Sequence, residues 1–579
     1  MTSITVWAPG APRMRVRLLP DGTDHEMARG DDGWWSFEAP DDVRDYAFLI
    51  ADSDHPVPDP RSLWQPDGVH QASRLYDHNA FTWTDTAWTG KQLPGSVLYE
   101  LHVGTFSAEG TFDGVIEHLD HLVDLGVDMV ELLPVASFNG EYNWGYDGVC
   151  WYAPHEAYGG PDGLKRLVDA CHGRGLGVVL DVVYNHFGPS GAYAPQFGPY
   201  LSTGANSWGT SLNLDGPDSG EVRRYIIDNA LMWLRDYHVD ALRLDAVHAL
   251  VDHGAVHLLE ELASSVDALS AHVGRPLTLI AESDLNDPRL VTPREAGGMG
   301  VHAQWDDDVH HVLHALLTGE RQGYYGDFGS LDSLATVLTG AFFHAGTWSS
   351  FRGRLHGRPV DRLTTPGHRF VAYLQNHDQI GNRAIGDRLS ATLSPRLLRV
   401  GATLLLTAPF TPMLWMGEEW AASTPWQFFT SHPEPELAAA VAAGRRREFA
   451  SHGWATEDVP DPQAPSTFED SKLDWSEVGK PPHRDMLAVY RELIRLRKSR
   501  PDLSDPRLDR VEVWPGDRHV AIRRGNCVVV ANLAPEPQRI NVRGIPRKVL
   551  FASEPGLALW HDSVDLPGES AAVLAYARR

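Results

Sequence analysis

The chain has 579 residues, 42% hydrophobic and 22% charged, and its 50 Lys+Arg against 77 Asp+Glu leave a net charge of −27. That length exceeds what one hydrophobic core organises, so a large domain with smaller ones attached is expected. The composition is that of a globular protein, and its negative charge argues against a nucleic acid or an anionic membrane as partner.

The opening MTSITVWAPG lacks a charged segment followed by an apolar run, and no 18-residue apolar stretch occurs. Neither a signal peptide nor a membrane span is expected, and a cytoplasmic location is the reading. Residues 1–92 read as short alternating strands, among them SITVWAP, RMRVRLLP and GWWSFEAP, with Pro, Gly and Asp turns at the spacing of a β-sandwich. From residue 93 to 500 strands and amphipathic helices alternate. The strands SVLYELHVG, DMVELLP, GVVLDVV, ALRLDAV, LTLIAES, GVHAQW, FVAYLQN and PMLWMG number eight. The fold class is therefore multidomain α/β, built on a (β/α)8 barrel rather than an open sheet. No glycine-rich phosphate loop follows any strand, which counts against a nucleotide-binding fold.

Long insertions follow the second strand (140–160) and the eighth (415–482), where barrel enzymes place substrate contacts. The helix RDMLAVYRELIRLRKSR closes the barrel. Residues 501–579 return to strands, VEVWPG, HVAIRRG, CVVVANLA and AAVLAYARR, and predict a small C-terminal β domain. Cys150, Cys171 and Cys527 are too few and too scattered for a disulfide framework or metal cage and read as buried thiols. Nineteen Trp are an excess that suits sugar faces as well as cores.

In VDALRLDAVHAL, Val239 to Leu250, strand alternation puts Arg243 and Asp245 on one face, and buried charges are costly unless paired or used. Asp245 stands near the end of the fourth strand, Glu282 at the end of the fifth and Asp378 at the end of the seventh. In a barrel these ends converge on one mouth. Three carboxylates there, with Arg243, His186 and His377 nearby, can bind a metal or perform acid–base chemistry; each could instead cap a helix.

The segments DVVYNH (Asp181–His186), LRLDAVH (Leu242–His248), IAESD (Ile280–Asp284) and LQNHDQ (Leu374–Gln379) each end a predicted strand. In that order they resemble the four signature segments of the α-amylase family of glycoside hydrolases, and the resemblance covers nearly all of the chain. It implies Asp245 as nucleophile, Glu282 as general acid/base and Asp378 as transition-state stabiliser of a retaining double displacement. The chemistry suits these residue types, since retention needs one ionised and one protonated carboxyl roughly 5–5.5 Å apart. Arg243 is expected to keep Asp245 ionised, and negative neighbours to raise the pKa of Glu282.

The same resemblance implies that His186 and His377 donate to sugar hydroxyls, that Tyr146 of NWGYDG stacks beneath the ring, and that Asn376 and Gln379 are substrate contacts. His248 stands where many amylases have Lys, which leaves the identity of the leaving-side sugars open. Asn185 matches a calcium ligand of amylases, but the rest of that cage is not evident and Asn is a common turn residue. No metal and no cofactor is expected.

The N-terminal strands resemble the glycogen-binding-like domain of branching, debranching and trehalose-releasing enzymes. LQNHDQIGNRA, where branching enzymes usually have Ser-His-Asp-Glu, and PMLWMGEEWAASTPWQFFTSHPEPELAAAVAAGRRREF are similar to the trehalose-releasing hydrolases. This likeness implies cleavage of the α-1,4 bond next to the terminal trehalose of maltooligosyl trehalose in trehalose biosynthesis, with a maltooligosyltrehalose synthase as pathway partner. Glu418, Glu419, Trp420, Gln427 and Phe428 are then candidates for grip on the leaving disaccharide, and Asp307, Asp308 and His311 of WDDDVHH for the same side. Selectivity of this kind rests on hydrogen bonds that a wrong sugar leaves unpaired, at about 1–3 kcal/mol each. A 1,4-α-glucan branching enzyme is the alternative, and a non-catalytic glucan-binding protein a third reading. Gln379 and the GEEWAASTP loop argue against the first, the three intact acids against the second.

Overall fold

The computed structural model describes residues 2–206, 208–450 and 459–576. Eight parallel strands close a barrel: β1 (Leu98–Leu101), β2 (Met129–Leu132), β3 (Gly177–Val182), β4 (Ala241–Leu244), β5 (Thr278–Ala281), β6 (Ala303–Trp305), β7 (Phe370–Tyr373) and β8 (Thr411–Trp415). The first seven lie within the segments expected from sequence, and β8 begins at Thr411, one residue ahead of the expected PMLWMG.

Alternation along the strands sorts their side chains into layers. Leu98, Met129, Val179, Ala241, Ile280, Ala303, Val371 and Met413 pack together as an apolar floor inside the barrel. Two residues further along their strands come Glu100, Glu131, Asp181, Arg243, Trp305, Tyr373 and Trp415. The registers Glu100 with Glu131 and Asp181 with Arg243 put these polar groups at one level, just below the C-terminal rim. Intervening residues such as Leu132, Leu180, Leu242 and Leu279 join the main core against the helices.

The helix ring follows from apolar stripes. Ser219–Asp236 buries Val222, Ile226, Trp233 and Leu234, and Leu258–Val273 buries Leu258, Leu262 and Val266. His483–Ser499 buries Met486, Tyr490, Leu493 and Ile494 and closes the barrel. Its Arg497, buried at the same interface, donates to the carbonyls of Ala408 at 2.8 Å and Phe410 at 2.6 Å, in the link from the helix Pro395–Thr407 to β8.

Ahead of the barrel, Thr2–Trp7, Trp34–Ala39 and Ala28–Arg29 form one antiparallel sheet, and Thr23–Glu26, Met14–Leu19, Asp45–Ile50 and Ser73–Arg74 a second. After it, Val511–Pro515, His519–Arg524, Cys527–Asn532, Ser570–Tyr576 and Pro546–Ala552 form a five-stranded sheet beside a three-stranded one. The predicted strand AAVLAYARR falls on Ser570–Tyr576, its last three residues lying outside the described ones. So does 451–458 of the insertion after β8. Among the described residues no helix is long and apolar enough to cross a membrane, and the three cysteines are free and buried.

Two hairpins on the loops after β3 and β6 had no periodic signature in the sequence, Leu201–Asn206 with Gly209–Leu212 and Thr347–Ser349 with Arg354–His356. The helix Leu331–Gly340 carries an apolar stripe of Leu331, Leu334, Val337 and Leu338 and packs on the helix Asp307–Thr318 and the strand Val511–Pro515. The segment leading into the first hairpin packs on the N-terminal sheets, Tyr200 against Trp7 at 5.5 Å and Phe197 against Phe48 at 5.8 Å.

Candidate active site

Arg243 has no exposed surface, and its guanidinium organises the mouth. Nη1 donates to Asp181 Oδ2 at 2.9 Å and to Asp245 Oδ1 at 2.7 Å, while Nη2 lies 3.7 Å from Glu282 Oε2. The same group sits over the ring of Trp305, 4.3 Å from its centroid. The buried charge of the fourth strand is thus paired twice and faces a third carboxyl, as burial demands.

Asp245 follows the last residue of β4, and its backbone N–H donates to Val182 O at 3.0 Å. The next residue, Ala246, adopts a left-handed backbone at φ 41°, which costs a non-glycine on the order of 1–3 kcal/mol. Two bonds to Glu282 hold it there: Ala246 N–H to Oε2 at 2.6 Å and Val247 N–H to the carbonyl at 3.0 Å. The strained turn therefore couples the ends of β4 and β5.

Burial is the largest influence on Glu282. It outweighs the opposing pull of Arg243 and, with Asp245, Asp307 and Asp378 adding to it, lifts the carboxyl to about 8. The negative neighbours expected from the sequence to raise this pKa assist, and desolvation leads. A carboxyl so placed holds its proton at neutral pH.

Asp378 is not on β7 but in the short helix His377–Gly381 beyond it. Side-chain exposures of 14%, 17% and 45% for Asp245, Glu282 and Asp378 place the first two on the cleft floor and the third toward its opening. Asn376 caps that helix, its Oδ1 accepting from Gln379 N–H at 2.8 Å, and is itself buried.

His377 Nδ1 donates to Glu100 Oε1 at 2.5 Å and Nε2 donates to the Tyr146 hydroxyl at 2.8 Å, which in turn donates to Asp181 Oδ2 at 2.6 Å. Burial opposes a charge on this ring, but Asp378 and Glu100 carry it up to about 9, so both nitrogens keep their protons. Tyr146 arrives through Gly145 at φ 107°, where a Cβ would meet Pro134 O at 2.2 Å. Its ring lies against that of His377 at 5.2 Å. His186 has both nitrogens on carbonyl oxygens, Asn185 Oδ1 at 2.5 Å and Tyr146 O at 3.0 Å.

On the other candidates the structure divides. Asp307 accepts from the Tyr373 hydroxyl, Gln379 Oε1 accepts from Tyr324 OH at 3.3 Å, and the His311 ring lies 4.7 Å from that of Tyr324. Gln379 and His311 meet at Tyr324, and Asp307 is near enough to act on Tyr324 through its charge. His248 lies 4.0 Å from Asp284, which also accepts from Arg352 at 2.8 Å. Asp308 instead ties a loop: its Oδ2 accepts from Asn286 Nδ2 at 2.8 Å, Phe343 N–H at 2.8 Å and His344 N–H at 3.0 Å. Glu419 is fully buried between Tyr99 OH at 3.1 Å and His121 Nε2 at 2.8 Å, and Glu418 accepts from Tyr490 OH at 3.0 Å. The GEEW turn folds these two acids and Trp420 inward, Glu418 against Tyr490 of the closing helix, so Asp308, Asn376, Glu418, Glu419 and Trp420 are all buried. Gln427 and Phe428 stay half-buried, Phe428 beside Trp144 at 5.1 Å.

Sequence reasoning missed several groups at this mouth. Trp208 is 50% exposed, its ring 6.3 Å from His186 and 6.0 Å from His248, and Phe351 is 56% exposed, 5.9 Å from Tyr324. Both lie on the loop hairpins, where no strand or helix period marks them, and the excess of Trp was the one available hint. Glu100 was also missed because it reads as an interior strand residue.

Calcium, raised by the match at Asn185, does not fit this residue. Its Nδ2 donates to Asp245 Oδ2 at 2.7 Å and to Asp245 O at 3.2 Å, and its oxygen is taken by His186. Among the described residues no group of three or more His, Cys, Asp or Glu is arranged to hold a metal.

The family profile for alpha amylase, catalytic domain, matches residues 72–197. The Malto-oligosyltrehalose trehalohydrolase of Arthrobacter ramosus is 56% identical over 544 residues, 93% of this chain and 94% of its own, and that of Mycobacterium tuberculosis 53% identical over 584 residues, 100% of both. A solved structure from Salmonella typhimurium, described as an alpha amylase, has a TM-score of 0.90 at 38% identity and covers 99% of this chain and 97% of that one. The 1,4-alpha-glucan branching enzyme GlgB of Bacillus caldolyticus is 31% identical but matches only 53% of this chain and 51% of its own. With identity above one half running from end to end and the three acids gathered at the barrel mouth, the chain belongs to the malto-oligosyltrehalose trehalohydrolases of the α-amylase family.

Proposed function

We propose that the protein hydrolyses the α-1,4 bond next to the terminal trehalose of maltooligosyl trehalose, releasing trehalose and a maltooligosaccharide. Glu282 gives its proton to the glycosidic oxygen while Asp245 attacks the anomeric carbon, so trehalose leaves and a glycosyl ester forms on Asp245. Glu282, now ionised, takes a proton from water; that water attacks the same carbon, breaks the ester and restores the original anomer. Asp378 strengthens its hydrogen bonds to the sugar as oxocarbenium character develops, and so acts in the transition state.

One observation carries this reading. A single guanidinium is hydrogen-bonded to Asp245 and faces Glu282, whose burial keeps its proton, so a carboxyl held by a cation stands beside one that can donate a proton. On the leaving side, Trp208 and Phe351 offer exposed ring faces, and His248, Arg352, Asp307, His311 and Gln379 offer polar groups for the disaccharide. The substrate would come from a maltooligosyltrehalose synthase, and the setting is the cytoplasm.

The test is competition between maltopentaose and a maltooligosyl trehalose of similar length, with products followed by chromatography. Rapid release of trehalose with little attack on maltopentaose is expected. Equal cleavage of both, or new α-1,6 branches without trehalose, would overturn the assignment.

A further inference from the structure

We propose that Asn185 is a positioning residue for the nucleophile, clasping the carboxylate of Asp245 where amylase-like sequences suggest a calcium ligand. The inference rests on Asp245 being the nucleophile. Both atoms that Asn185 reaches on Asp245, Oδ2 and the backbone carbonyl, are acceptors, so the amide must turn its nitrogen toward them. That choice sends the amide oxygen to His186 Nδ1 at 2.5 Å, and a cation would need that same oxygen.

The clasp is held from behind. Asn185 is 1% exposed, and its carbonyl accepts from Asn206 Nδ2 at 2.9 Å on the hairpin after β3. Asp245 thereby has one donor on each oxygen, Arg243 on Oδ1 and Asn185 on Oδ2, both at 2.7 Å. The terminal torsion of an aspartate is broad, so a single donor leaves the carboxylate plane free to turn, whereas two on opposite oxygens set it. What Asn185 contributes is the attack angle, and a displacement of roughly 1 Å at a reacting atom costs on the order of 100-fold in rate.

The experiment compares wild type, Asp245→Ala, Asn185→Leu and the isosteric Asn185→Asp on maltooligosyl trehalose, with melting curves in EDTA and in calcium chloride. Both Asn185 variants should lose about 100-fold in kcat with KM little changed. Melting temperatures should be the same in calcium as in EDTA for wild type and for Asn185→Asp. A calcium ligand would behave in the opposite way, since an added carboxylate strengthens such a site. Asn185→Asp with near-wild-type kcat, or a melting temperature raised by calcium in either protein, would overturn the clasp. An active Asp245→Ala would instead overturn the nucleophile on which it rests. Should Asn185→Leu fail to fold, Asn185→Asp keeps the shape and decides alone.

Discussion

Arg243 is buried among Asp181, Asp245 and Glu282, and removing one partner of such a cluster leaves charge stranded at about 3–5 kcal/mol. The carboxyls are the groups proposed to carry the chemistry. Asp245→Ala and Glu282→Gln should each lower kcat by several orders of magnitude while circular dichroism stays that of the wild type; turnover near wild type in either would remove that residue from its role. The value of about 8 for Glu282 has a signed consequence, because the general acid works only while protonated. Activity should hold at neutral pH and fall as pH rises through about 8. Asp307 is one of the charges that raises Glu282, so Asp307→Asn should move this alkaline limb to lower pH, read from kcat/KM against pH. A limb that stays in place would separate Asp307 from the acid.

At the scale of elements, the linker from the N-terminal sheets is latched to the underside of the barrel. His172 donates to Asp85 at 2.8 Å and to Asp240 at 3.0 Å, Trp88 stacks on its ring at 4.4 Å, and the Trp88 N–H bonds Asp240 at 2.8 Å. Burial works against a charged His172, but Asp240 and Asp85 raise its pKa above the usual value; burial likewise opposes an ionised Asp85, but His172 and His238 hold its carboxyl low. The raised His172 stabilises fully below about pH 6.5 and less as pH climbs through its folded value, and the lowered Asp85 stabilises above about pH 4. The latch is therefore tightest between those limits. His172→Leu should lower the unfolding temperature by several degrees at pH 6, and the gap to wild type should shrink by pH 9. A gap independent of pH would assign the loss to packing alone.

For the molecule as a whole, the N-terminal sheets support the cleft from outside. Trp7 and Phe48 hold Tyr200 and Phe197, and the chain runs from there directly into the hairpin that carries Asn206 and Trp208. Aromatic pairs of this kind are worth about 0.5–1.5 kcal/mol beyond their buried area. Trp7→Ala should loosen that hairpin and raise KM for maltooligosyl trehalose several-fold with a smaller effect on kcat. Unchanged steady-state constants in a folded variant would make the contact purely structural.

The barrel and its acids could be read from sequence because each depends on local pattern. Eight apolar runs alternate with helical stripes, and Asp245 and Glu282 stand one residue past their strands, where topology alone carries them to the rim. The leaving side was far less legible. Glu419 and Asp308 sit in polar stretches that look like open loops, yet the fold turns them inward onto Tyr99 and onto the Phe343–His344 backbone. Trp208, Tyr324 and Phe351 come from three separate loops whose order obeys no period. Strand identity, helix faces and the placement of the three acids at the barrel mouth were thus determined by the sequence itself, since hydrophobic alternation acts over a few residues. Which loop side chains face the cleft, the dominance of burial over charge at Glu282 and the clasp of Asn185 on Asp245 were decided only in the tertiary structure. Each depends on how segments distant in the chain exclude water from a shared space.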